Sequence, residues 1–174
     1  MTEHFKALIT GDDQFRRVMG ALGQAARRPR LAMQNMAAVM EDQTEENFAA
    51  EGRPKWPTLS EVTVRARLGG GKAYRKDGRL RVSAQRTRRE MKMLQDSGLL
   101  AGSVHSVFGD GYAATGAARP YARVQQLGGQ AGRGRKVTIP SRPYLPFTAD
   151  FKLQPEAERE LLRTAMDHLR RAVE

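Results

Sequence analysis

Cysteine is absent from the 174 residues, which excludes a disulfide framework and thiolate chemistry alike. Aromatic residues make up only 6%, so apolar contacts must come largely from Leu, Ala, Val and eight Met. Met specifies packing less sharply than branched side chains do. No run approaches the roughly 18 apolar residues that a membrane span needs. Met1–Thr10 has no charged lead followed by an apolar core, so a signal peptide is not expected and synthesis is expected in the cytosol. Histidine occurs three times, at His4, His105 and His168, each far from the others in sequence. A metal site wants paired ligands at fixed spacing, so no metal centre is expected.

What is present suits one globular domain over residues 1–174. The length allows a real core but is short for two domains. Hydrophobic residues reach 40% and charged residues 28%, a balance closer to a folded chain than to a disordered one. The net charge of +11 is unevenly spread. Residues 50–92 carry 13 basic against 4 acidic groups, and residues 111–149 carry six basic and no acidic ones. The ends and the stretch 93–110 are together slightly acidic. Such blocks bear on association with polyanions or acidic protein faces rather than on fold.

His4–Ile9 alternates loosely and reads as a short strand. Asp12 or Asp13 offers an N-cap for a helix to about Ala26, with Phe15, Val18, Met19 and Leu22 on one face. Pro29 suits the first turn of a second, longer helix running from Leu31 to Phe48 and stopped by Gly52. Arg53-Pro54-Lys55-Trp56-Pro57 is turn chemistry around the single tryptophan, which is expected to plug the core. Thr58–Arg67 reads as a short helix capped by Thr58 or Ser60. The glycine-rich, basic segment 69–90 reads as a mobile loop or extended arm, with a solvated surface insertion as its plainest interpretation.

Met91–Ser103 returns to helical spacing. Val104–Phe108 and Tyr112–Thr115, joined by Gly109-Asp110-Gly111, carry a strong hairpin signal. Tyr121–Leu127 reads as a helix ended by glycine, Gly132–Lys136 as a second basic loop, and Val137–Ile139 as a strand. Tyr144 and Leu145, after Arg142-Pro143, are expected to dock an extended segment on the sheet. Pro155 opens a final helix with Glu156, Glu158 and Glu160 near its positive end and Arg170 and Arg171 near its negative end. The expected class is α+β, with long helices at both ends packed on a small antiparallel sheet.

No catalytic constellation emerges. Ser103, His105 and Asp110 fall within one strand and its turn, a spacing without the logic of a triad. Gly69-Gly70-Gly71-Lys72 fails as a phosphate loop, because Ala66 stands at the first glycine position and Ala73 replaces the hydroxyl residue. Catalytic, metal and cofactor-binding residues are accordingly expected to be absent, and no cofactor is implied.

One succession of motifs does carry information. A long helix ending in Phe48 leads into Gly52-Arg53-Pro54-Lys55-Trp56-Pro57-Thr58-Leu59, followed by Leu94-Gln95-Asp96-Ser97-Gly98-Leu99-Leu100 and Ser103-Val104. After the hairpin come Gly116, Tyr121-Ala122-Arg123-Val124-Gln125-Gln126-Leu127-Gly128-Gly129 and Ile139-Pro140-Ser141-Arg142-Pro143-Tyr144-Leu145. This order resembles the phage virion morphogenesis family of Mu-like phages and prophages, related to tail completion proteins, over residues 30–170. The chain departs from the pattern in its long basic segment and at Pro146.

The resemblance implies a structural, non-enzymatic role in the virion, at the head–tail junction, in tail completion and head–tail joining. It implies neck, connector and tail proteins as partners and a homo-oligomeric ring, with hexamer as the expected copy number, assembled in the host cytoplasm without membrane contact. The residues expected to make contacts are Lys72, Arg75, Lys76, Arg79, Arg81, Arg86, Arg88 and Arg89. A nucleic-acid-binding protein is the alternative, since these cations could neutralise phosphates. Against it stand the lack of aromatics other than Tyr74 in the segment and the lack of a groove-reading helix.

Overall fold

Where apolar residues recur at helical spacing for several turns, helices form as the spacing demands. The structure, a computed structural model, describes residues 12–174, so the strand expected at His4–Ile9 lies outside the described residues. Helix α1 spans Asp12–Arg27 and α2 spans Arg30–Ala50, with Pro29 immediately before it. The stop after α2 is steric as well as conformational. Glu51 and Gly52 both take positive φ, and the Gly52 N–H donates to Asn47 O at 2.8 Å. A Cβ at Gly52 would lie 2.4 Å from the Trp56 ring, so only glycine fits. Helix α3, Glu61–Arg67, starts at Ser60, whose hydroxyl accepts from the Thr63 N–H at 3.3 Å.

Segment 69–90 is more ordered than a mobile arm. It makes a 3-10 turn at Gly70–Ala73, a tight loop closed by a Tyr74–Leu80 bridge, and helix α4 at Val82–Glu90. Leu68, Ala73 and Ala84 are buried against Val64, Tyr74, Leu80 and Met91, giving this lobe a small apolar centre of its own. Residues 91–100, by contrast, are not helical; only Ala101–Ser103 makes a 3-10 turn. Leu94 and Gly98 both have positive φ, and the backbone is captured by the end of α2. The Met93 N–H donates to Glu51 Oε1 at 2.8 Å, and Gln95 Nε2 donates to Phe48 O at 2.9 Å.

Strands β1 (Val104–Phe108) and β2 (Ala113–Ala117) pair antiparallel in the register Val104 with Ala117 through Phe108 with Ala113. The Asp110-Gly111 turn between them is closed by Gly109 N–H to Tyr112 O at 2.9 Å. Helix α5 spans Ala122–Leu127, and β3 (Gly129–Ala131) pairs with β4 (Val137–Ile139). The fold is therefore α+β, with two separate two-stranded ladders in place of one sheet. The chain from Gly129 to Ile139 folds back on itself over a few residues, so its pairing stays local. Helix α6, Pro155–Arg171, begins and ends as its charge pattern requires.

Helix α2 is the central element. It packs on α6 along one side and on the β1–β2 hairpin along another, while α1 rests against α6. At its C-terminal end Phe48 stacks on Tyr144, with ring centroids 5.5 Å apart, and meets Trp56 edge-on at 6.0 Å. Leu100 and Ala122 complete that cluster, and Trp56 is buried as expected. The extended segment 141–147 docks between α2 and α5, not on a sheet.

Candidate interaction site

The docked segment is held by amides that the sequence did not advertise. Asn47, fully buried on α2, donates to the carbonyls of Tyr144 (3.1 Å) and Leu145 (3.3 Å) and to Gln154 Oε1 (2.9 Å). Its own oxygen accepts from Arg53 Nε at 2.9 Å. From the other side, Gln126 Oε1 accepts the N–H groups of Tyr144 and Leu145, both at 3.0 Å, and its Nε2 donates to Phe147 O at 2.8 Å. Both amides are used to the full, as buried polar groups must be. Arg142 is also internal. Its guanidinium donates to Pro57 O and Thr58 O, and burial, then the charge of Arg67, lower its pKa from the ordinary value. This network is architecture, and its residues are withdrawn from solvent.

The histidines and the imagined triad come apart in three dimensions. Ser103 Oγ donates to Leu100 O, and the His105 ring faces Ser103 O rather than the hydroxyl. Asp110 pairs with Arg30 at 3.2 Å. His168 is half-buried on α6 with Nε2 3.4 Å from Ala25 O. Among the described residues no cluster of His, Asp and Glu could hold a metal ion, and no helix is long and apolar enough to cross a membrane.

The eight basic residues singled out by sequence all lie on the α3–α4 lobe, and all are exposed. Lys72 sits in the 3-10 turn. Arg75, Lys76 and Arg79 ring the loop in which Arg75 N–H donates to Arg79 O at 2.7 Å and Arg79 N–H to Asp77 Oδ1 at 3.0 Å. Arg81 precedes α4 and reaches Tyr74 O at 3.4 Å; Arg86, Arg88 and Arg89 stand on α4. Among the described residues none of the eight pairs with a carboxylate. Residues 61–92 hold 11 basic and 3 acidic groups, so the lobe is a concentrated positive surface. Sequence alone missed Arg65, whose guanidinium lies 5.5 Å from the Tyr74 ring centroid, and Arg67, which ties the lobe to the body through Lys92 O (3.0 Å) and Asp96 (3.6 Å).

Open grooves flank α2 on two sides. One, between α2 and α6, is lined by charge, including Asp42, Glu46, Glu156 and Arg163. The other has a volume of about 400 Å³ and is more apolar, with Phe48, Ala49, Ala101, Gly102 and Val104 in its lining and Glu41 and Glu45 among its polar groups.

Comparison with known proteins places this architecture. The phage virion morphogenesis family matches residues 11–170, from the start of α1 almost to the end of α6. The chain is 31% identical over 147 residues to the Mu-like prophage FluMu G protein 2 of Haemophilus influenzae, an alignment covering 84% of this chain and 83% of that protein. No solved structure matches. The motif order along the chain, the helical frame that carries it and the extent of the match lead to one assignment: the chain belongs to the phage virion morphogenesis family and serves in building the virion.

Proposed function

We propose that the protein completes the neck or tail end of the particle, as a subunit of a homo-oligomeric ring of six at the head–tail junction. The observation that carries this reading is the α3–α4 lobe, whose eight exposed cations lack carboxylate partners among the described residues. The lobe, which Arg67 ties to the body, presents that charge outward, where it can meet acidic faces of connector and tail proteins. In a ring each such contact is repeated, so modest individual affinities sum. Tyr74, the aromatic of the basic segment, is half-buried and covered by Arg65, so it is poorly placed to stack on a base. That favours a protein partner over nucleic acid as the lobe's main target.

The test is a triple charge reversal, Arg79→Glu, Arg86→Glu and Arg89→Glu, in an assembly complementation assay. These side chains are exposed, and among the described residues none makes a hydrogen bond or ion pair that the fold uses. The variant is expected to fold and to yield separate heads and tails that fail to join. Normal joining would sink the docking reading. DNA affinity measured against salt beside it covers the alternative: if the lobe binds DNA, the log–log slope should fall by about three units in the variant.

A further inference from the structure

We propose that Phe151 is the anchor of the contact between neighbouring copies of this chain, seating in the apolar groove beside α2 of the next subunit. The proposal rests on the ring reading above and names the surfaces that would close the ring. Phe151 is 74% exposed, so a large apolar ring whose burial would be favourable is left in water. It also sits at φ 62, a left-handed conformation that costs a side-chain-bearing residue energy and is commonly kept where function requires it. The loop that presents it is stitched shut. Phe147 bridges Leu153, Thr148 N–H donates to Lys152 O at 2.8 Å, and Phe151 N–H donates to Thr148 O at 3.0 Å. Inside the loop the Thr148 hydroxyl bonds Asp150 at 2.6 Å, and Lys152 pairs with Asp150 at 3.1 Å. The Thr148 bond first, and then Lys152, hold the Asp150 carboxyl below its ordinary pKa. A ring held proud on a rigid loop loses little freedom on binding, which is what makes an aromatic a good anchor.

The groove offers the complementary half. Phe48, Ala49, Ala101, Gly102 and Val104 supply apolar walls around about 400 Å³, and the backbone at Gly102 opens on empty space. Glu41 and Glu45 border it, neither in an ion pair among the described residues, ready to face the cation of Lys152 that follows Phe151 in sequence. Lys92 also lines the groove. Helical spacing puts Glu41, Glu45 and Ala49 on the side of α2 opposite Gln43, which lines the α6 flank. The Phe151 loop leads into α6, while the groove lies on the side of α2 turned away from α6, so knob and groove are different surfaces of one subunit. A contact between unlike surfaces is head-to-tail, the kind that forms rings when its rotation closes.

The cysteine-free chain makes the test direct. The double variant Phe151→Cys with Ala49→Cys is built into particles by complementation, the particles are purified and oxidised, and the chain is followed on a non-reducing gel. A ladder of covalent multimers is expected from the double variant and from neither single one. Phe151→Gly is expected to leave thermal unfolding of the free protein unchanged or raised, while its share of particles assembled in competition with the unchanged chain falls by roughly thirty-fold, the loss a buried aromatic anchor brings. Particles that contain the double variant but give no ladder overturn this contact and leave the ring reading standing. A dimer from Phe151→Cys alone, meaning a two-fold contact, also overturns it, as does a bond to a different virion protein. Absence of the unchanged chain from particles overturns the ring reading and this contact together.

Discussion

Tyr144 shows how one residue ties chemistry to stability. Its ring is almost fully buried against Phe48, and its hydroxyl lies 3.5 Å from Ala122 O. Burial disfavours the phenolate and pushes the pKa up to about 12, against 10.0 for an ordinary tyrosine. The sign of the linkage follows. The unfolded chain releases this proton first, so the contribution to stability is intact below about pH 10 and is lost as pH rises through about 12. Equilibrium unfolding followed from pH 9 to 12 should therefore show stability falling, and Tyr144→Phe should flatten that fall. An identical alkaline profile in the variant would mean that Tyr144 does not govern it. Trp56 is bound in the same cluster by a second kind of tie, its indole N–H donating to Pro143 O at 3.0 Å.

At the level of elements, the decisive arrangement is the extended segment 141–147 clasped between Asn47 of α2 and Gln126 of α5. Gln126→Ala leaves the buried N–H groups of Tyr144 and Leu145 without their acceptor. Unsatisfied buried donors cost about 1–3 kcal/mol each, so a loss of about 2–4 kcal/mol is expected by denaturant titration. A loss under about 0.5 kcal/mol would show that water replaces the amide at no penalty. That Tyr144 and Leu145 dock an extended segment was legible, but not where or by what, because Asn and Gln on a helix read as solvent-facing until a partner segment is known. The terminal helices, the hairpin and the glycine stop after α2 were legible, since periodicity and turn chemistry are local. The non-helical course of residues 91–100 was not. It depends on Leu94 adopting positive φ and on capture by Glu51 and Phe48, both long-range effects. The eight cations could be read as exposed, but the lobe that groups them could not. Its apolar centre at Leu68, Ala73 and Ala84 follows no helical or strand period. Phe151 left no signal either, since a lone aromatic in a polar loop reads as a core residue.

For the molecule as a whole, charge and shape point to a subunit that stays apart until it is recruited. A net charge of +11 makes copies repel one another at low ionic strength, and the proposed knob offers a single aromatic anchor per contact. The purified protein is therefore expected to sediment mainly as a monomer at micromolar concentration, with the ring forming only on a particle that lines subunits up. A stable hexamer in isolation would contradict this templated scheme. The same logic gives the basic lobe and the Phe151 loop separate tasks, the first recruiting the subunit to acidic neighbours and the second joining it to its like.

The clasp on segment 141–147 also sets a timetable. The residues it joins, Asn47 with Tyr144 and Gln154, are about a hundred positions apart, and the aromatic cluster of Phe48 and Trp56 closes only when Tyr144 arrives. During synthesis, then, the first two thirds of the chain leave the ribosome with the α6 flank of the central helix uncovered. A nascent chain in that condition holds no finished core, because Ala122 and Tyr144 have yet to join Phe48, Trp56 and Leu100. Virion assembly is thereby reserved for subunits whose translation has run nearly to its end.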